Sequence, residues 1–450
     1  MMDAGRHPNI TLLTYSEVEE VSGYIGNFDV RIRKRARSVR EDLCTGCGLC
    51  QEKCPRRVLD TAFEAGMAKR KAIYRPFGQA IPNIPVIDRE NCLYFTKGRC
   101  KLCEKTCPTG AIDFEQEDEF LDVQVGAIVV ATGFGMWDPV QLPQYSYGRS
   151  PNIITGLQFE RLTSAGGGTG GEILTAEGEK PERVAIIHCI GSRDENAHPY
   201  CSRFCCMYSL KHAHQVREKT GAEVYDFYMD MRAFGKAYEE FYERVQEEGV
   251  TFVRGRGAEV EVLPDGRLRV RGEDADLGRL VAADVDMVIL ATAVEPQPDA
   301  GRMAALFGLG RTPDGWFAEA HPKLRPVETS TAGVFLAGVC QGPRDVPDTV
   351  VHAGAAALEA VRLFNQGEVT ISPTVAVVDA VQCVGCGECI LACPYAAIVR
   401  NAEEKAEINA ALCHGCGTCV ATCPAGAITA LHFTDQEIVA QIDGLLSVVV

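Results

Sequence analysis

The stretch "CIGSRDENAHPYCSRFCC", Cys189 to Cys206, places four cysteines in eighteen residues. It follows "ERVAIIH", a short apolar run that reads as a buried strand. A dinucleotide-binding domain opens on such a strand. It then turns through glycines, whose bare backbone approaches a diphosphate at the N-terminus of the next helix. Here the turn reads His188-Cys189-Ile190-Gly191-Ser192-Arg193, and one glycine remains. The sequence therefore predicts a nucleotide-domain architecture that does not take hydride from a nicotinamide. Thiols stand where the phosphate loop would be.

The chain has 450 residues, 21 cysteines and a net charge of −16. That length gives roughly two to four domains. The acidic balance excludes a nucleic-acid binder, which needs a basic face. One basic run, "RIRKRARSVR" (Arg31 to Arg40), reads as a solvated strand and linker in preference to a docking patch for an acidic partner. The N-terminus "MMDAGRHPNI" lacks a signal peptide's apolar core, and the final "LLSVVV" is too short to span a membrane. A cytoplasmic location with no membrane span is expected. Dense cysteines in a reducing compartment point to metal rather than disulfides.

Three segments share the pattern C-x2-C-x2-C-x3-C-P: "CTGCGLCQEKCP", "CVGCGECILACP" and "CHGCGTCVATCP". A fourth, "CLYFTKGRCKLCEKTCP", has a longer first gap. In this spacing a tight loop offers three thiolates to one iron–sulfur cubane, and the fourth reaches the other cluster of the pair. Zinc sites do not repeat in this way. The expected groups are Cys44, Cys47, Cys50 with Cys107, and Cys92, Cys100, Cys103 with Cys54. In the tail they are Cys383, Cys386, Cys389 with Cys423, and Cys413, Cys416, Cys419 with Cys393. Four [4Fe–4S] clusters are thereby predicted. They leave Cys189, Cys201, Cys205, Cys206 and Cys340.

Between the cysteine-rich segments a second repeat appears. "NITLLTYSEVEEVSGYIGNFDVRIRKR" and "VTFVRGRGAEVEVLPDGRLRVRG" each read as a strand followed by a hairpin. Each leads to a similar terminal strand, "VGAIVVATGF" (Val125 to Phe134) and "VDMVILATAV" (Val285 to Val294). These strand ends resemble those of two-domain flavin reductases of the thioredoxin reductase type. "TSTAGVFLAGVCQGPRDVPDTVVHAGAAALEAV" resembles the segment that returns to the flavin in those enzymes, with Gly338-Val339 where the family has Gly-Asp. The resemblance implies FAD contacts at Thr132, Gly133, Gly338, Val339, Asp348, Thr349 and Val350. The helix after "VPDTV" is expected to aim its positive end at the flavin ring. No strand–GxGxxG–helix unit precedes "HPNITLLTYSEVEEV", so the flavin site is incomplete. "SAGGGTGGE" (Ser164 to Glu172) has no strand leading into it and reads as a loop.

Three readings of Cys189, Cys201, Cys205 and Cys206 stay open: a redox dithiol, buried structural thiols, or a fifth iron–sulfur cluster. The convergence of a strand end, a loop and a helix start favours the cluster. Taken together, "CIGSRD…YCSRFCCMYSLKHA", the inserted ferredoxin, "LAGVCQGPRDVPDTV" and "FTDQEIVAQIDGLL" resemble the A subunit of heterodisulfide reductase. That resemblance implies an FAD protein with an irregular cluster on those four cysteines, working in flavin-based electron bifurcation. Lys211, on the helix that Cys205 and Cys206 open, is expected to neighbour the flavin and favour negative charge on its reduced form.

The fold class expected is α/β. A thioredoxin-reductase-like core of two dinucleotide domains carries two α+β 2[4Fe–4S] ferredoxin domains, one inserted and one appended. The expected segments are 1–39 (partial FAD-domain strand and hairpin), 40–116 (ferredoxin insert) and 117–150 (FAD-domain terminal strand). They continue with 151–295 (second nucleotide-domain-like region), 296–370 (FAD-domain return) and 371–450 (C-terminal ferredoxin). Expected partners are other subunits of such a complex, a polypeptide supplying the GxGxxG unit, and a ferredoxin, hydrogenase or dehydrogenase donor module. Relatives carry an N-terminal region and a first flavin-binding unit that this sequence lacks, so it is read as a fragment or a split subunit. Two other functions compete: a polyferredoxin relay without flavin, and an NAD(P)H-dependent flavin reductase.

Overall fold

The computed structural model describes residues 2–368, 373–395 and 397–447. Strands β1 (Ser16–Tyr24) and β2 (Asn27–Lys34) form an antiparallel hairpin turning at Ile25-Gly26. Alternation along β2 sends Phe28 and Val30 into the core and Asp29 and Arg31 outward. β3 (Glu119–Val125) pairs with β2, Phe28 opposite Val125 and Lys34 opposite Glu119. The cysteine-rich insert is thus a long excursion between two neighbouring strands, and the sheet fixes both its ends. The basic run is paired internally: Arg33 with Glu17 and Glu19, and Lys34 and Arg37 with Glu41. After β3 comes β4 (Ile128–Val130).

The second unit begins with β5 (Ile153–Thr155) and α1 (Gly156–Thr163). Thr155 caps this helix by accepting from the Gln158 N–H, and Gln158 accepts in return from the Thr155 N–H. Then come β6 (Arg183–Ile190), α2 (Cys205–Thr220), β7 (Glu223–Tyr228) and β8 (Thr251–Arg254). An antiparallel meander follows, β9 (Gly257–Val262), β10 (Leu268–Asp274) and β11 (Arg279–Val285), and then β12 (Met287–Thr292). Five strands lie parallel in the order β5-β12-β6-β7-β8. All of β12, and β6 after Arg183, is buried, because both faces are covered. Leu210, Ala213 and Val216 of α2 cover one face, and Val260, Val270 and Val285 of the meander cover the other.

The chain then returns as β13 (Val334–Leu336) and α3 (Val346–Gln366). β13 pairs in parallel with β4, Val334 opposite Ile128 and Leu336 opposite Val130. Among the described residues this parallel sheet has two strands. Val129 at its centre is 44% exposed. α3 buries His352, Ala356 and Ala360 and leaves Val350, Val351, Leu358 and Phe364 exposed. No strand forms over residues 9–13, where the sequence suggested one, and Ile10 and Leu12 are exposed. A strand needs a neighbouring ladder to satisfy its backbone groups, and this segment has none among the described residues. The domain boundary expected at 370/371 lies outside the described residues. A last helix, α4 (Asp435–Ser447), buries none of its side chains. Among the described residues no helix is long and apolar enough to cross a membrane.

Candidate metal centres

In the inserted module Cys44, Cys47, Cys50 and Cys107 line one void, and Cys54, Cys92, Cys100 and Cys103 line another. In the C-terminal module Cys383, Cys386, Cys389 and Cys423 line a third, and Cys393, Cys413, Cys416 and Cys419 a fourth. Short helices cause the crossing. Leu49–Lys53 carries Cys50 and is capped at its C-terminus by Cys54, while Leu102–Thr106 carries Cys103 and is capped by Cys107. One helical turn separates each pair, so the cap thiol faces the other void. Glu388–Ala392 with Cys393, and Thr418–Thr422 with Cys423, repeat this arrangement.

The loops depend on glycine at defined places. Gly46 takes φ +70, and a Cβ there would sit 2.6 Å from the Asn83 carbonyl oxygen. Backbone N–H groups point at sulfur: Gly46 to Cys44 Sγ at 3.4 Å, Ala111 to Cys107 Sγ, Ala397 to Cys393 Sγ and Ala427 to Cys423 Sγ, each at 3.3 Å. Such bonds favour thiolate and tune the potential of a bound cluster. Burial pushes the Cys50 thiol up to about 11 and Cys103 to about 12, so iron must displace protons to bind there. Among the described residues no group of three or more His, Cys, Asp or Glu closes on the position of a single metal ion. Four thiols around a void fit a cubane and do not fit mononuclear zinc.

The Cys189–Cys206 segment folds back on itself. The Arg193 N–H donates to the Tyr200 carbonyl at 2.9 Å, Asp194 to His198 at 3.0 Å, and His198 to Gly191 at 3.1 Å. The ladder between β6 and β12 slips between Ile187 and Ile190, and Cys189 takes φ +58. The slip re-aims Cys189 toward the start of α2. There Cys206, burial, Cys189 and Cys201 together raise the Cys205 thiol, so the four thiols share one neighbourhood. The neighbouring Cys205 and the His188 ring hold the Cys206 thiol low against the opposing effect of burial. Beneath them His188 Nε2 lies 2.9 Å from Asp226 Oδ1, off the hydrogen-bond line, and both side chains are buried. The loop fills the place of a phosphate turn with its own chain. Cys340 is apart, its thiol donating to the carbonyls of Val130 and Ala337 at 3.3 Å.

Lys211 is engaged by Glu160 on α1, which also accepts from His212 Nε2 at 2.7 Å. Burial opposes the Glu160 charge, but His212 and Lys211 overcome it and hold the carboxyl down at about 2. At the flavin-type segment, Gly338 takes φ +75 and lies beside Thr349. A Cβ at Gly133, φ +74, would meet open space. The positive end of α3 is already answered by its own carboxylates. Asp345 accepts from the Asp348 N–H at 2.9 Å, and the Asp348 side chain is paired with Arg203. His188, Asp226, Glu160 and Arg203 were not singled out in the sequence. The strand "EVYDFY" carries two acids, and Asp226, set between aromatic residues, is the buried one.

Two dicluster modules on an α/β scaffold, with further thiols at the start of a nucleotide-type helix, define a component of an iron–sulfur oxidoreductase. Two sequence families, each described as "4Fe-4S dicluster domain", match the chain, one over residues 43–111 and the other over 376–430. The A subunit of the H2:CoB-CoM heterodisulfide,ferredoxin reductase of Methanothermobacter thermautotrophicus is 49% identical over 99% of this chain and 67% of its own length. The iron–sulfur A subunit of the CoB–CoM heterodisulfide reductase of Methanocaldococcus jannaschii is 45% identical over 99% of this chain and 68% of its own. The chain belongs to the family of heterodisulfide reductase A subunits. Among solved structures, T. acidophilum thioredoxin reductase aligns with TM-score 0.36 and 13% identity, over 56% of this chain and 69% of that one.

Proposed function

We propose that this chain is the electron-carrying subunit of a heterodisulfide-reductase-like complex, passing electrons between [4Fe–4S] clusters and FAD in flavin-based bifurcation. The observation that carries the reading is the thiol neighbourhood of Cys189, Cys201, Cys205 and Cys206 where a nicotinamide domain has its phosphate loop. Those residues would hold a fifth cluster beside the four dicluster sites. Bound FAD supplies the change between one- and two-electron transfer. Thr132 and Gly133 at the end of β4, and Gly338, Val339 and the Asp348–Val350 turn of α3, would border it. Asp348 contributes through chain position, since its carboxylate is taken by Arg203. Lys211, tied to Glu160, would act on a flavin only if that ion pair opened.

The diphosphate turn would come from a strand–GxGxxG–helix unit that is not among these 450 residues. The open sheet of β4 and β13 and the exposed side of α3 support this, because parallel sheets are covered on both faces. Electron donors would be a ferredoxin, hydrogenase or dehydrogenase module. The test is flavin and iron content after anaerobic reconstitution. With the complementary unit co-expressed, one FAD and about 20 irons per chain are expected at about four per cubane. Cys205→Ser and Cys206→Ser should each remove one EPR-active centre and spare the others. Tight FAD in the 450-residue chain without that unit, or EPR signals untouched by both substitutions, would overturn the reading.

A further inference from the structure

Arg203 touches both halves of the proposed electron route. It lies between Cys201 and Cys205, and its N–H donates to Cys201 Sγ at 3.2 Å. Its φ of +63 is a conformation that persists only where the surroundings fix it. That conformation turns the side chain out of the loop and across to the other unit. The guanidinium pairs with Asp348 in the first turn of α3 and lies 5.3 Å from the Phe234 ring centroid. Asp348 is itself fixed, because its N–H donates to Asp345 Oδ1 and Tyr238 OH donates to Asp345 Oδ2 at 3.3 Å. The next residue, Phe204, places its ring 5.8 Å from Phe134, just past the β4 strand end.

We infer that Arg203 and Asp348 form a latch that seats the Cys201–Cys206 loop on the N-terminus of α3 and so sets the spacing between the fifth cluster and the flavin. Both are positioning residues. The inference rests on the proposed reading that the cluster and the flavin occupy these two segments. A unit free to swing would vary the gap that an electron must cross. An ion pair whose backbone is bonded to a cluster thiol holds that gap constant.

The test uses the flavin-loaded complex carrying Arg203→Gln, Asp348→Asn, or the charge-swapped pair Arg203→Asp with Asp348→Arg. Aspartate tolerates the left-handed backbone at 203. Hydrogen exchange at 201–206 and 345–350 should lose about fivefold protection in each single variant, the equivalent of about 1 kcal/mol. Flavin bleaching after mixing with dithionite should slow, the fifth cluster's EPR signal should survive, and the swap should restore protection and rate together. Unchanged protection in both single variants overturns the latch. Lost protection with unchanged bleaching, or loss of the EPR signal in Arg203→Gln, overturns the positioning role. If removing the fifth cluster by Cys205→Ser leaves the bleaching rate of the otherwise unaltered complex unchanged, the proposed route itself fails, and with it the positioning role. The exchange result then still decides whether the latch exists.

Discussion

Cys54 belongs to one loop and lines the void of another. In sequence it closes the run Cys44, Cys47, Cys50; in space it lies with Cys92, Cys100 and Cys103. Cys54→Ala should therefore damage the second group and leave its own loop's group intact. Loss of one cubane takes about four irons from about 20, and a surviving three-iron remnant would limit the loss to about one. The decisive measurement is non-additivity. Cys54→Ala with Cys92→Ala removes two thiols from one void, so the pair should lose no more than about four irons. Cys54→Ala with Cys44→Ala strikes two voids and should lose up to about eight when both cubanes go. Iron and sulfide analysis after anaerobic reconstitution, with EPR spin counts, reads both. If Cys54 and Cys92 behave additively, or Cys54 and Cys44 share one loss, the crossing is wrong.

Gly191 takes φ +74, and a Cβ there would meet the Trp137 ring at 2.4 Å. Gly191→Ala should cost about 2–4 kcal/mol in urea unfolding, from left-handed strain plus overpacking of a buried ring. A cost under about 1 kcal/mol would show that the loop can shift away from Trp137. Glu160 is depressed to about 2, so its contribution is present above the ordinary carboxyl range and is lost as pH falls toward 2. Glu160→Gln should lower stability by about 1 kcal/mol at neutral pH, after allowance for solvent screening, and the gap to wild type should close in acid. An unchanged gap in acid would place the effect elsewhere. NADH and NADPH should fail to reduce the anaerobic protein while dithionite succeeds, because the loop after β6 is closed by its own chain. Rapid bleaching of the visible spectrum by either nicotinamide would contradict that reading.

The dicluster chemistry is legible in the primary structure. Local spacing of thiols and glycines names the cluster loops, because a tight C-x2-C-x2-C loop is a short-range object. The runs "RVAIIH" and "VDMVILATAV" likewise announce strands buried on both faces, through apolar continuity alone. Other features were beyond its reach. Cys189 turns toward the start of α2 where the ladder between β6 and β12 slips, and strand register depends on a partner strand far along the chain, Leu290 opposite Ile187. The segment at 9–13 looks like a strand, yet propensity has no effect without a ladder to join. Asp348 reads as a cofactor contact, and the partner its carboxylate takes, Arg203, lies 145 residues away in the chain. Lys211 reads as a flavin neighbour, and the acid it pairs with, Glu160, comes from α1. Charges separated by that much chain meet only after the helices and loops that carry them have packed, so local sequence does not name their partners.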